Sequence, residues 1–139
     1  MIDQTVVAKV FVQNTAGQLL LVRRSKTDTR RPLEWDIPGG MVEANEFVEE
    51  AAARETLEET GLVVDAHQLK LVSTYSITYD QTKSVHRLFF TGAVTSNVVV
   101  LSDEHSEWQW LSPEDALTVL TYDVQHNALQ YALDNNLLG

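Results

Sequence analysis

Between Gly40 and Gly61 the chain sets four glutamates and one arginine, Glu46, Arg54, Glu55, Glu58 and Glu59, inside a stretch that otherwise favours helix. Phe47 to Thr60 is dominated by Glu, Ala, Arg and Leu, and Gly61 stands where a helix closes on a left-handed residue. On such a helix Glu55 is three residues from Glu58 and four from Glu59, so three carboxylates share one side of the same two turns. Like charges that close repel unless something cationic sits among them. The obvious candidate is a divalent metal, and the fold has to leave that helix face open to one.

The charge distribution points the same way. The chain of 139 residues carries ten Lys and Arg against twenty Asp and Glu, a net charge of −10. That balance argues against general affinity for a nucleic-acid backbone. Yet Arg23, Arg24, Lys26, Arg30 and Arg31 fall within nine positions, and seven of the acids lie between Glu43 and Glu59. An acidic cluster able to hold metal, preceded by a basic segment, suits a polyanionic substrate.

Length and an apolar content of 44% fit one globular domain, expected over 1–139. Cysteine is absent, which excludes disulfides and thiolate chemistry and fits a reducing, cytoplasmic setting. The first residues lack the basic and apolar regions of a signal peptide, and no apolar run is long enough to cross a bilayer. No membrane partner is expected.

Along the chain, Thr5 to Val12 is β-branched, Asn14 to Gly17 is a turn signal, and Leu19 to Arg23 reads as the returning strand of a hairpin. Ser25 to Leu33 is a polar loop. Trp35 to Pro38 reads as a short strand stopped by Gly39-Gly40. Beyond the helix, Leu62 to Val64, Leu69 to Thr78, Val85 to Val94 and Glu107 to Leu111 read as strands, with a turn at Asp80 to Lys83. Ser112-Pro113 opens a helix, and Asp123 to Leu133 supports a last one. The order predicts an α/β fold, a mixed sheet with one helix in the middle and others at the end.

The spacing from Gly40 to Leu62 resembles the Nudix box, the signature of the Nudix (MutT-like) hydrolases, at Gly40, Glu46, Arg54, Glu55, Glu58, Glu59 and Gly61, with Leu62 in the last aliphatic place. The flanks Trp35-Asp-Ile-Pro-Gly-Gly40 and Glu104-His-Ser-Glu-Trp-Gln-Trp110 also look like this family. Two positions depart from it. Asn45 replaces the usual glycine, and tolerates left-handed backbone better than other side chains. Thr56 replaces an aliphatic residue, with Leu57 expected to supply the packing.

The resemblance implies a Nudix-type α/β/α sandwich and hydrolysis of a phosphoanhydride in a nucleoside diphosphate linked to another group. It implies Mg²⁺, with Mn²⁺ as a substitute, and both ions take hard oxygen ligands. Glu55, Glu58 and Glu59 supply carboxylates, and by resemblance the Gly39 carbonyl adds a ligand. Glu55 and Glu104 are the two candidates for the base that takes a proton from the attacking water, Glu104 being alternatively a metal ligand. Arg54 is suited to hold Glu46 or Glu58 in place. Arg23 or Arg24 meets substrate phosphate, only one of them on the side of the metal helix if the strand alternates. Tyr79 stands at the distance past the box seen in dinucleoside polyphosphate hydrolases.

Plainer readings hold elsewhere. Glu49 and Glu50 read as solvated surface, Glu50 pairing with Arg54. Trp35, Trp108, Trp110, Phe89 and Phe90 read as core. His67, His86, His105 and His126 show no paired ligand spacing and read as surface or satisfied core residues.

The leading substrate is a (deoxy)nucleoside triphosphate, giving the monophosphate and pyrophosphate. Dinucleoside polyphosphates and nucleotide sugars are alternatives, and a nucleotide-sensing module without turnover is the rival from another class. Such modules show a broken box or an added DNA-binding domain, and here the box is intact. Many members are dimers, so a homodimer is a further expectation.

Overall fold

The β-branched run after Gln4 becomes β1 (Asp3–Gln13), the centre of a mixed sheet in the computed structural model, which describes residues 3–139. The first two residues of the expected domain lie outside that range. β1 pairs antiparallel with β4 (Gly39–Met41) and parallel with β6 (Lys83–Ala93), the latter in unbroken register from Asp3↔Lys83 to Gln13↔Ala93. The spatial order is β3-β2-β1-β6-β5, with β2 (Leu19–Arg24), β3 (Trp35–Asp36) and β5 (Lys70–Tyr79). β7 (His105–Leu111) pairs with β2.

Alternation along these strands divides the core in two. On one face Ala8, Val10, Val12, Leu20, Val22 and Phe90 pack with Ala52 of α1 (Val48–Thr60) and with Leu62 and Val64. On the other, Phe11, Leu19, Leu21 and Phe89 meet Ala116 of α2 (Pro113–Val119) and Leu129 and Ala132 of α3 (Asp123–Asp134). The result is an α/β/α sandwich, as expected. Phe89 and Phe90, adjacent in sequence, serve opposite cores.

Four expectations about the strands require correction. The β1–β2 hairpin is reduced to the pair Gln13↔Leu19, because β1 takes β4 and β6 as its main partners. Gly39-Gly40 does not stop the chain's pairing but carries β4. Leu62 to Val64 is not a strand; Leu62 and Val64 are buried without pairing, and Val64 packs over Gly92, where a Cβ would stand 3.3 Å from it. Trp35 and Trp110 pack against the two cores, but Trp108 is 42% exposed because β7 forms the sheet edge.

Helix α1 forms where the sequence places it. The Glu50 carboxylate accepts the Phe47 N–H at 3.0 Å, satisfying a donor at the helix start, and does not pair with Arg54 as expected. Gly61 closes the helix with φ of 74°, its N–H on the Leu57 carbonyl. A side chain in that conformation costs about 1–2 kcal/mol. Thr56, rather than Leu57, faces inward: Thr56 is fully buried and its hydroxyl donates to the Ala52 carbonyl at 2.8 Å, while Leu57 is half exposed. Asn45 adopts φ of 65°, the left-handed conformation expected of it.

Candidate active site

Helix α1 packs on β1 and β4, and this contact brings its acidic face against Gly39-Gly40. Glu59 is 6% exposed, and its carboxylate accepts the Gly39 N–H at 2.9 Å. A Cβ on Gly39, whose φ is 143°, would lie 2.1 Å from the Ala8 carbonyl oxygen, so only glycine fits there. A Cβ on Gly40 would lie 2.6 Å from the Glu55 carboxyl carbon. The two glycines thus let the acids of α1 lie directly on the backbone of β4.

Burial has not been offset by charge at this cluster. Desolvation pushes the Glu59 carboxyl up to about 8, against the opposing pull of Lys9 and of the Gly39 N–H, with the neighbouring Glu55 and Asp36 charges adding to the rise. The Glu55 carboxyl is also raised, chiefly by burial, although Arg54 works against it. Glu58 stands at the exposed rim.

Arg54 organises the outer side of the cluster. Its Nε donates to Glu46 at 2.7 Å and its Nη1 to Glu55 at 3.0 Å, while Nη2 reaches the Met41 carbonyl at 3.1 Å. Glu58 accepts from the same Nη1 at 3.3 Å. The guanidinium therefore holds Glu46 and Glu58, both offered as its partners, and Glu55 besides. Its hydrogen bond, with that of the Glu43 N–H, holds the Glu46 carboxyl down at about 2.

Glu104 reaches the cluster through backbone bonds that no short-range pattern announces. Val100 N–H donates to the Thr60 carbonyl at 2.8 Å and Ser102 N–H to the Glu59 carbonyl at 3.2 Å, which ties the segment before β7 to the end of α1. Ser25 N–H then donates to the Glu104 carbonyl at 3.1 Å. Ligand atoms of Glu59, Glu104 and His105 all lie within 4.8 Å of one another. His105 corrects the sequence reading: it is 8% exposed, and its Nδ1 has no hydrogen-bond partner.

On the other side of Gly39 a second buried acid has a different setting. Asp36 is 1% exposed, with Lys9 Nζ at 3.3 Å, Arg24 Nη1 at 2.8 Å, Arg31 Nη2 at 3.7 Å and the Gln125 amide donating to it. Burial favours its neutral form, but Lys9, Arg31 and the hydrogen bonds from Gln125 and Arg24 outweigh burial and hold the carboxyl well below the ordinary range.

These cations open onto a cleft of about 640 Å³ that Gly39 and Gly40 also line. Lys9, Arg24, Arg30, Arg31, Lys83 and Arg87 surround it, six of the ten Lys and Arg in the chain. Tyr79 and Tyr122 join them, with the Arg31 guanidinium stacked 3.9 Å from the Tyr122 ring centre. Arg24, not Arg23, belongs to this cleft. A register shift between the two residues breaks the strand's alternation, and Arg23 instead pairs with Glu107 at 3.0 Å. The basic segment was legible as a cluster; Lys9, Lys83 and Arg87, scattered in sequence, join it only because β1 and β6 lie side by side.

The fold and this juxtaposition of acids and cations define a class, and comparison with known proteins gives the same one. The NUDIX domain family matches residues 3–132, and the chain belongs to that family. A MutT-like protein of Streptomyces ambofaciens is 34% identical over 109 residues, covering 78% of this chain and 64% of that protein. A Nudix hydrolase of Deinococcus radiodurans is 30% identical over 112 residues, covering 80% and 65%. The chain thus spans just under two thirds of the length of these relatives. The crystal structure of a MutT protein from Methanosarcina mazei Go1 superposes with a TM-score of 0.79 at 28% identity, over 96% of each chain. A Caenorhabditis elegans Ap4A hydrolase shares the fold, with a TM-score of 0.74 at 24% identity over 96% of this chain and 98% of that one. Among the described residues no helix is long and apolar enough to cross a membrane.

Proposed function

We propose that this chain hydrolyses a phosphoanhydride bond of a nucleotide with the help of a divalent cation, the leading substrate being a (deoxy)nucleoside triphosphate cut to monophosphate and pyrophosphate. The observation that carries this reading is the meeting, at Gly39-Gly40, of an acid cluster whose buried Glu59 is poorly compensated and a cation-lined cleft. The residues present fit a divalent ion. Glu59 is buried with its proton affinity raised, and a ring nitrogen of His105 lies within 4.8 Å of its carboxylate. Glu55, Glu58, Glu59 and Glu104, with the Gly39 carbonyl, are the groups that would hold the ion. Once bound, it would acidify a water and neutralise charge on the phosphates.

The chain's own residues account for the remaining work. Glu55, with its raised proton affinity, takes the proton from the attacking water as the water oxygen bonds to phosphorus and the anhydride bond breaks; Glu104 is the other candidate for that role. Arg54 fixes the rotamers of Glu46, Glu55 and Glu58. Arg24 and its neighbours in the cleft bind the phosphates, and Tyr79 lies beside the nucleoside. A dinucleoside polyphosphate is the second reading, favoured by Tyr79 standing in the cleft with Lys83 and Arg87.

The test is a panel of nucleoside triphosphates, dinucleoside tetraphosphates and nucleotide sugars, turned over in ¹⁸O water with and without chelator. Metal-dependent turnover with label in one product supports the reading and names the attacked phosphorus. A panel that binds but is not cut would replace it with the nucleotide-sensing role.

A further inference from the structure

Three of the four histidines have an ordinary explanation. His67 is exposed, His86 Nδ1 hydrogen-bonds the Ser76 hydroxyl at 2.7 Å, and His126 Nδ1 the Leu120 carbonyl at 3.1 Å. His105 differs. It is more than nine-tenths buried, its Nδ1 has no partner in the protein, and a ring nitrogen lies within 4.8 Å of carboxylate oxygens of both Glu59 and Glu104. A polar atom left so costs about 1–3 kcal/mol, a cost that a bound ion, a water or a catalytic role can remove.

The placement is built into the sheet. β7 pairs with β2 at Arg24↔His105, just past the register shift that turns Arg24 into the cleft. The bond from Ser25 to the Glu104 carbonyl fixes the preceding residue. One ion about 2.1 Å from each ligand atom would keep those atoms within about 4.2 Å of one another, so the trio needs only small rotamer changes to close on it.

We propose that the His105 imidazole is a ligand of the divalent cation held by Glu59 and Glu104, so that this centre carries a nitrogen donor among its carboxylates. The inference rests on the proposed function above, which supplies the cation, and it departs from the all-oxygen ligand set implied by the sequence. Mg²⁺ prefers hard oxygen ligands, whereas imidazole suits transition metals. The site therefore favours Mn²⁺, Co²⁺ or Zn²⁺ over Mg²⁺.

Pulsed EPR of the Mn²⁺-loaded protein tests this without reference to turnover. Wild type is expected to show the nitrogen coupling of a directly bound imidazole, and His105→Gln to lose it. Calorimetric titration of the same variant is expected to lower Mn²⁺ affinity about tenfold while changing Mg²⁺ affinity by less than about threefold. Mn²⁺ bound to wild type without nitrogen coupling overturns the inference and leaves the proposed function standing. Equal losses for the two ions would reduce His105 to a positioning role and overturn it too. A wild-type protein that binds no Mn²⁺ removes both.

Discussion

Asp36 and Glu59 are buried to nearly the same degree, 1% and 6% exposed, and both feel the charge of Lys9. Their proton affinities nevertheless move in opposite directions. Asp36 has three cations and an amide around it, and its carboxyl is held well below the ordinary range. Glu59 has one backbone N–H, a more distant lysine and further carboxylates, and burial pushes it up to about 8. Burial alone therefore does not decide whether an acid is charged; the cations supplied by the chain do. Asp36 has its counter-charge inside the fold, and Glu59 has none that matches its burial.

Removing each acid should break the symmetry most visibly. Asp36→Asn removes the buried counter-charge shared by Lys9, Arg24 and Arg31, leaving Arg24 with Asp28 and Lys9 with no close carboxylate partner among the described residues. Loss of one partner from a buried ion pair costs about 3–5 kcal/mol, and urea unfolding should show a loss of that size. A loss below about 1 kcal/mol would mean the cations are held by something other than Asp36.

Glu59→Gln should do the reverse. The amide can still accept the Gly39 N–H, so the fold should survive, and the metal-free protein at pH 8 should be as stable as wild type or more so because a poorly compensated charge is gone. Metal-dependent hydrolysis should fall by at least about a hundredfold, since loss even of groups that only support metal ligands costs about 10–100-fold. Steady-state rates beside a thermal melt test both halves; wild-type turnover would remove Glu59 from the metal centre.

The two acids should also give opposite pH dependences in the metal-free protein. Glu59 has its folded pKa raised to about 8, above its unfolded value, so its contribution to stability is complete below the ordinary glutamate range and is lost as pH rises through about 8. Asp36 has its folded pKa depressed, so its contribution is present above the ordinary aspartate range and is lost only as pH falls below it. Melting temperatures in chelator should therefore fall on the alkaline side through Glu59 and on the acid side through Asp36. Glu59→Gln should flatten the alkaline limb alone, and added Mn²⁺ should oppose the alkaline fall in wild type. An unchanged alkaline limb in the variant would show that another group causes it.

The contrast was only half legible in the sequence. Helix α1, the Gly61 cap and the three neighbouring carboxylates follow from local spacing, and so do the Ser112 cap and the turn after Tyr79. What makes Glu59 differ from Asp36 is non-local. Lys9 reaches Asp36 because β4 lies against β1, and Arg24 does so past a register shift that strand alternation does not foresee. Gln125 arrives from the last helix, 89 residues away. Glu104 was legible through its resemblance, but His105 beside it was not, because the segment from Val94 to Glu104 is held by isolated backbone bonds to α1 that leave no periodicity. Local chemistry announces which acids crowd together, and the sheet decides which of them are neutralised.

Arg54 offers the smallest and sharpest test, because it is a cation within the acidic cluster that does not neutralise Glu59. Its contacts go to Glu43, Glu46, Glu55 and Glu58 on the outer side, and its side chain is 27% exposed. Lysine at this place keeps the charge but cannot reproduce the fork that joins Glu46, Glu55 and the Met41 carbonyl at once. These pairs are only partly buried and lysine keeps the charge, so Arg54→Lys should leave the unfolding free energy within about 1 kcal/mol of wild type. Turnover should still fall by about tenfold, through Glu55 and Glu58 losing their fixed rotamers. A large loss of stability with intact turnover would invert the assignment, placing Arg54 with the structural cations around Asp36 rather than with the proposed catalytic acids.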